Sequence, residues 1–129
     1  MKESSSKSQL FKSFRGKCAY CGTKLSVASM TIDHVFPKCK GGIRSRRNTK
    51  PACSFCNSVK ADLNIKEFRL KLKELAALDN ERGQKVRNKY DFPNGKVEFF
   101  YEKLRKTITQ ERQCRREAWE RLTNTEVTL

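Results

Sequence analysis

The sequence predicts an α+β fold, with a small ββα unit in its first half and about two helices in its second half. Residues 30–36 are rich in β-forming side chains and end at Pro37, which indicates a short strand. Residues 49–52 are suited to return as a second strand, and a helix is expected from Ser54 to Ala61. Two strands followed by a helix make one ββα unit.

The second half of the chain is predicted to be helical. Asn64 with Glu67 three residues later is typical of a helix start. Apolar residues then recur at helical spacing until residues 80–83, which we expect to end this helix. A second long helix is predicted from about Lys96 to Leu122.

These elements divide the chain into three predicted segments. Residues 1–9 are rich in Ser and Lys and are expected to form a disordered tail. Residues 10–62 are expected to form the domain that contains the ββα unit, and residues 63–129 a helical C-terminal extension.

The composition points to a polyanionic partner and to a core that needs a staple. Lys and Arg number 29 against 14 Asp and Glu, which gives a formal net charge of +15. A surface that is merely soluble does not require so one-sided a balance. Hydrophobic residues are only 36% of 129 residues, so a metal ion or disulfides are expected to support the fold.

Nothing in the sequence indicates a membrane protein. No apolar run approaches the ~20 residues that a spanning helix needs, and no secretory signal is visible. We therefore expect a cytoplasmic protein, a class that includes phage-encoded proteins acting in the host cell. In a reducing compartment, paired cysteines are more often metal ligands than disulfides.

Two Cys-X-X-Cys pairs predict a structural zinc site. Zinc favours four tetrahedral ligands, and a gap of two residues lets both sulfurs of a pair reach one ion. The alternative is a set of buried or redox-active cysteines. Cys39 and Cys114 have no close cysteine partner in the sequence and are taken as free thiols. The four predicted ligands are Cys18, Cys21, Cys53 and Cys56.

Asp33, His34 and Asn57 lie within or beside the loop that this zinc would close. A neutral imidazole can accept a proton from water, and carboxylate and amide oxygens suit Mg²⁺ or Mn²⁺. On a strand, Asp33 and His34 point to opposite faces and need not compete for one position. By itself an Asp-His pair is a weak signal, since a lone histidine is as often a structural residue.

Three motifs resemble the HNH endonuclease family over residues 16–62. They are Cys18-Ala-Tyr-Cys21, Thr31-Ile-Asp-His-Val-Phe-Pro37, and Cys53-Ser-Phe-Cys56-Asn57-Ser-Val-Lys60, with Gly41-Gly42 and Asn48 between them. The resemblance implies a ββα-metal nuclease domain over residues 10–62, supported by the zinc site. It also implies hydrolysis of a phosphodiester bond at a single divalent cation.

The resemblance assigns a role to each site residue. His34 would be the general base, and Asn48 would brace the loop and orient the histidine backbone. Asn57 stands where many members have a final His, and would hold a catalytic Mg²⁺ or Mn²⁺ together with Asp33. The layout is also similar to phage endonucleases that resolve branched DNA, and to free-standing and intron-encoded phage HNH nucleases.

Basic residues beside the proposed site are expected to contact DNA, double-stranded or branched. Arg112–Arg121 either extends this surface or is a solvated helix face that alternates with acidic residues. The apolar stripes of the late helices are core, or else the seam of a homodimer. The predicted DNA contacts are Lys38, Lys40, Arg44, Arg46, Arg47 and Lys60, with Lys50 flanking them.

The favoured function is therefore a metal-dependent DNA endonuclease. The alternative is a catalytically inactive zinc-finger module that binds nucleic acid, which explains the charge and the cysteines equally well. A redox-sensing or zinc-storing protein explains the cysteines but not the charge. Asp33-His34, together with Asn48 and Asn57, separates the first hypothesis from the others, since a pure binding module needs none of them.

Overall fold

The structure, a computed structural model, describes residues 2–42 and 48–128, and it confirms the α+β class. Short 3₁₀ turns lie at Lys38–Lys40 and Pro93–Gly95. In chain order the helices and strands are α1 (Lys2–Ser13), β1 (Thr31–His34), β2 (Thr49–Ala52), α2 (Ser54–Lys60), α3 (Ile65–Ala76), α4 (Glu81–Lys89) and α5 (Phe100–Thr128).

The ββα unit consists of β1, β2 and α2. The two strands are antiparallel, and Asp33 pairs with Lys50 while His34 pairs with Thr49. The predicted first strand is shorter than residues 30–36, because the backbone of Phe36 bonds to a loop side chain instead of continuing the ladder. The second strand agrees with the prediction, and α2 ends one residue early.

A helix occupies most of the segment that the sequence predicts to be a disordered tail. Helix α1 begins at Lys2, and its apolar end packs back onto the domain. The ring of Phe11 lies against Gly16, where an added Cβ atom would come within 3.0 Å of the ring. The amide of Gly16 also donates to the carbonyl of Phe11 over 2.9 Å, with the glycine at φ +71°.

The extension contains one more helix than the sequence predicts. Helix α3 begins with the expected capping box of Asn64 and Glu67. Residues 80–83 were expected only to end a helix, but they also start α4, because the Asn80 side chain accepts from the amide of Gly83. A Cβ atom at Gly83 would come within 2.1 Å of the Leu78 carbonyl oxygen, so this tight connection requires glycine.

Helix α5 begins later and ends later than the predicted span of 96–122. Asp91 and Glu98 form an isolated antiparallel bridge, which closes the segment before the helix around the 3₁₀ turn at Pro93–Gly95. The helix then starts with the Glu102 side chain accepting from the amide of Phe99 over 3.0 Å. None of the helices that the structure describes is long and apolar enough to cross a bilayer.

Three buried aromatic rings join the ββα unit to the extension. Tyr20 comes from the first cysteine pair, Phe68 from α3 and Phe99 from the residue before α5. The Tyr20 ring meets the other two edge-on at centroid distances of 5.2 and 5.3 Å. Apolar residues from both sides of the predicted boundary at residue 62 therefore share one core.

Candidate functional site

The four cysteine sulfurs of the two Cys-X-X-Cys pairs converge on one point. Each lies within 4.8 Å of the others, and the Cys21 and Cys53 sulfurs are 3.7 Å apart. A tetrahedral zinc ion with bonds of about 2.3 Å separates its sulfur ligands by about 3.8 Å. The cysteines are free thiols and not disulfides. The cluster can therefore hold one metal ion, and its geometry fits zinc.

Local backbone geometry places each pair. At the first pair, the Cys18 amide donates to the Thr23 carbonyl and Gly22 closes the turn at φ +79°. At the second pair, Cys53 is the N-cap of α2, and its sulfur accepts from the amide of Cys56. Both sulfurs of this pair therefore lie at the first turn of a short helix.

Packing four thiols together pushes their pKa values apart. Hydrogen bonding, first with Cys18, holds the pKa of Cys21 well below its usual range. Contact with Cys18, and then with the other two thiols, raises the pKa of Cys56 far above its usual range. A divalent cation resolves this conflict, because all four ligands can then be thiolates.

The extension also contributes to the sulfur cluster. Tyr90, directly after α4, places its hydroxyl 2.6 Å from the Cys56 sulfur. Burial raises the pKa of Tyr90 far above its usual range, and the neighbouring Cys56 raises it further. The phenol therefore remains protonated, and it can donate to the sulfur when Cys56 is a metal-bound thiolate, as outer partners of metal ligands commonly do.

Asp33, on β1, is buried in contact with two protein side chains. The Tyr20 hydroxyl donates to its Oδ2 atom over 2.5 Å. The Lys60 ammonium lies 3.1 Å from Oδ2 and 3.4 Å from Oδ1. The side chain of Lys60 is 0% exposed and that of Asp33 5%, so this is an ion pair inside the protein.

Tyr20 connects the first cysteine pair to this carboxylate. It lies between Cys18 and Cys21 in the sequence, and its carbonyl accepts from the amide of Phe100. Burial raises the pKa of Tyr20 far above its usual range, and the charge of Asp33 raises it further. Tyr20 therefore stays protonated and remains a donor to Asp33.

The backbone around His34 is held from two sides, as the role expected of Asn48 requires. The Asn48 side chain accepts from the Phe36 amide over 2.8 Å and donates to the Phe36 carbonyl over 3.1 Å. Its own carbonyl accepts from the amide of Val35 over 2.8 Å. From the other side, the Lys60 ammonium donates to the His34 carbonyl over 2.8 Å.

The imidazole of His34 differs from its backbone in its hydrogen bonding. Its Nε2 atom is buried and has no hydrogen-bond partner within the described part of the chain. Leaving such an atom unpaired costs about 1–3 kcal/mol, and groups of this kind recur at functional sites. Nε2 is therefore not engaged by any of the residues that the structure describes.

The donors predicted for a catalytic cation lie on facing elements. Asn57 is half-buried on α2, one turn before Lys60, and Lys60 contacts Asp33 on β1. A carboxylate and an amide oxygen are suitable donors for Mg²⁺ or Mn²⁺. The donor set therefore fits a hard cation in its chemistry, but such a cation must share the carboxylate of Asp33 with Lys60 or displace it.

The predicted DNA contacts have different outcomes. Lys38 and Lys40 are exposed in the 3₁₀ turn, and Lys40 pairs with Glu67 over 2.7 Å. The surface contact predicted for Lys60 is not supported, because its ammonium is buried against Asp33. Lys50 lies over the Tyr101 ring at 4.6 Å. Arg44, Arg46 and Arg47 lie outside the described residues.

Sequence reasoning missed several side chains that contact the predicted site residues. It assigned no role to Tyr20 or Tyr90, and it placed Lys60 on the surface. For Tyr20, the only available signal is an aromatic residue within the first cysteine pair, as in Cys18-Ala-Tyr-Cys21. For Tyr90, the distance of 34 residues from Cys56 leaves no local pattern to read.

The comparison with protein families agrees with this geometry. Residues 18–72 match the model of a family described as HNH endonuclease. None of the curated proteins gives a significant match to the chain. The matched segment runs from the first cysteine ligand to the middle of α3, and it includes Asp33, His34, Asn48 and Asn57. Residues 18–72 thus belong to the HNH endonuclease family.

Proposed function

We propose that the protein is a metal-dependent DNA endonuclease that hydrolyses phosphodiester bonds, with His34 as the general base. The observation that carries this proposal is the contrast within His34. Hydrogen bonds from Asn48 and Lys60 fix the backbone around it, while Nε2 has no partner among the described residues. A general base needs a fixed position and a free acceptor atom.

Each of the proposed site residues has a separate role in the reaction. Nε2 of His34 accepts a proton from the attacking water. Asn48 keeps the strand end in place, so that the imidazole stays aligned with that water. Asp33 and Asn57 would hold the divalent cation. When bound, that cation supplies positive charge near the scissile phosphate and the leaving 3′-oxygen.

The charge of the protein supports DNA as the substrate. A net charge of +15 favours a polyanion, and DNA carries about one negative charge per 1.7 Å of its axis. The sulfur cluster would hold structural zinc, which supports the fold without taking part in the chemistry. An inactive zinc-finger module would share these features, but it has no need of an unpaired, buried imidazole nitrogen.

The proposal is tested by nicking of supercoiled and branched DNA with Mg²⁺, Mn²⁺ or EDTA. Wild-type protein should cut only with a divalent cation, and His34→Ala should lose cleavage while retaining zinc and DNA affinity. A matched control is Cys39→Ser, which changes an exposed side chain in the nearby 3₁₀ turn and should leave cleavage unchanged. Equal cutting by His34→Ala would remove His34 from the mechanism.

A second readout uses the fact that the chain has one histidine. Its imidazole signals in an NMR titration need no assignment. If His34 is the base, the midpoint of that titration should match the acidic limb of the pH–rate profile measured with the same cation. An activity that rises at a clearly different pH would assign the proton transfer to another group.

A further inference from the structure

Helix α5 carries a row of arginines that the proposed catalytic site does not use. Arg105, Arg112 and Arg116 lie seven and four residues apart, so they share one face of the helix with Thr109. Over eleven residues an α-helix rises about 16 Å, which is roughly the length of five base pairs. These four residues are called the arginine stripe.

Two acidic residues of α5 are held away from this stripe. Glu111 faces the turn after α1, where it forms an ion pair with Arg15 at 3.0 Å. The Glu117 side chain accepts from Gln113 over 3.1 Å. Glu120 follows the last arginine of the stripe by one helical turn and marks the end of the basic run. The hypothesis of alternating charges on a solvated face therefore fits the other faces and the end of α5, while no acidic residue lies within the stripe itself.

A groove connects the stripe to the proposed catalytic strand pair. Lys50, on β2, lines this groove. In the strand ladder it lies directly opposite Asp33 on β1. A second hollow of about 320 Å³, beside Thr109, Arg112 and Arg116, continues along the helix. The groove has a volume of about 330 Å³, and its polar and aromatic lining includes Ser13, Phe14, Lys50, Tyr101, Arg105 and Arg112.

Within the described part of the chain, the cations of this surface form no ion pairs with acidic side chains. Among the described residues, no carboxylate lies within ion-pair distance of Lys50 or of the three arginines of the stripe. Some other basic side chains of the extension are paired, as in Arg69 with Glu102 and Lys103 with Asp91. An external polyanion would therefore meet positive charge that is not already neutralised.

We propose that the arginine stripe and Lys50 bind the phosphate backbone of duplex DNA as it leaves the proposed catalytic site. This inference rests on the proposed function, because it takes DNA to be the substrate. Arginines pair well with phosphate oxygens, and contacts to the phosphate backbone position DNA without reading its sequence. The helical extension thus lengthens the DNA contact beyond residues 18–72.

The test is the binding of a fluorescent 20-base-pair duplex in buffer without added Mg²⁺ or Mn²⁺, where no cleavage is expected and no chelator removes the zinc, over a series of salt concentrations. The variant is Arg105→Gln/Arg112→Gln, which removes two charges and keeps two good helix formers. Each lost phosphate contact should reduce the slope of log K against log salt by about 0.9, so the expected change is about 1.8. Circular dichroism checks that both proteins are equally folded.

A matched control removes the same charge elsewhere. Arg82→Gln/Lys73→Gln changes two exposed side chains on α4 and α3, outside the groove. If this control lowers the slope as much as the stripe variant does, the binding follows net charge alone and the stripe is not a site. If neither variant changes the slope, the proposal is likewise overturned.

The single tryptophan provides an independent readout in the unmodified chain. Trp119 is 68% exposed and lies three residues after Arg116. DNA on the stripe should change its fluorescence in wild type, and the change should weaken in the stripe variant but persist in the control. Unchanged fluorescence at saturating duplex would place the DNA elsewhere.

The outcomes separate this inference from the proposed function. Cleavage by wild type, with normal binding by the stripe variant, would overturn the stripe and leave the nuclease intact. Weakened binding by the stripe variant in a protein that cuts no DNA would support the stripe and reject the nuclease. If poly-glutamate binds more tightly than duplex at matched charge, and loses affinity in the same variant, the partner is an acidic protein surface and not DNA.

Discussion

The sulfur cluster and the Asp33–His34 strand lie in the same small domain, but their side chains differ in the contacts that they make. In the cluster, four identical ligands converge on one point, and each sulfur lies within 4.8 Å of the others. Around Asp33 and His34, in contrast, one group is already neutralised by Lys60, and the other has an unpaired nitrogen.

This difference separates a site that supports the fold from a site that awaits a substrate. A structural metal site gains stability by closing its ligands around the ion. A catalytic site needs groups that other side chains hold in position but that can still react with the substrate. Holding reactive groups in this way lowers the stability of the protein. The two sites should therefore respond differently when single partners are removed.

The largest effect is expected from Cys53→Ser, which removes one predicted sulfur ligand but keeps a side chain that can cap α2. Because metal binding and folding are coupled, we expect loss of the zinc ion and of the folded state. Zinc content by mass spectrometry and circular dichroism measure both. Cys114→Ser, which changes an exposed thiol on α5, is the control and should remain folded. A folded, zinc-free Cys53→Ser protein would show that the cluster does not staple the fold.

The next effect is expected from Lys60→Met, which leaves the buried carboxylate of Asp33 without its counter-ion. Removing one partner of a buried ion pair costs about 3–5 kcal/mol, measured by denaturant unfolding without added Mn²⁺. If a cation competes with Lys60 for Asp33, Mn²⁺ should bind the variant more tightly and restore part of its stability.

The control for this change is Lys40→Met, which breaks an exposed ion pair with Glu67 and should cost little. Equal stability of Lys60→Met and wild type would mean that the buried pair is not needed. Stability lost but not recovered with Mn²⁺ would argue against Asp33 as a ligand of the cation.

The sequence was sufficient where the structure depends on local patterns. The cysteine pairs, the second strand and the capping box of α3 each depend on residues a few positions apart, and the structure agrees with all three. Asn48 was expected to brace the loop, and its bonds to Phe36 do so. Its effect on the chemistry stays a prediction.

The sequence was insufficient where packing between residues far apart in the chain determines the structure. The segment at 80–83 carries both an end signal and a start signal, and only the packing of α4 shows that both apply. Lys60 lies four residues after Cys56 on a short helix, and nothing local separates a surface lysine there from one buried against Asp33. The contacts of Tyr20 and Tyr90 likewise depend on the shared core.

The smallest and most discriminating change is Tyr20→Phe, which keeps the buried ring and removes only the hydroxyl that donates to Asp33. The loss of a hydrogen bond to a charged group costs about 1.5–3 kcal/mol. Because the carboxylate is then held only by Lys60, the concentration of Mg²⁺ needed for half-maximal cleavage should shift, while zinc content stays at one ion per chain. Titration of cleavage with Mg²⁺ measures the shift.

Tyr90→Phe is the matched control, because it removes the hydroxyl beside the Cys56 sulfur and leaves Asp33 untouched. It should weaken zinc retention against a chelator, by about the 10–100-fold that outer partners of metal ligands contribute, without moving the Mg²⁺ titration. If both variants change both measurements, the sulfur cluster and the Asp33–His34 strand act as one coupled unit. If each changes only its own, the core joins two sites whose metals are bound independently.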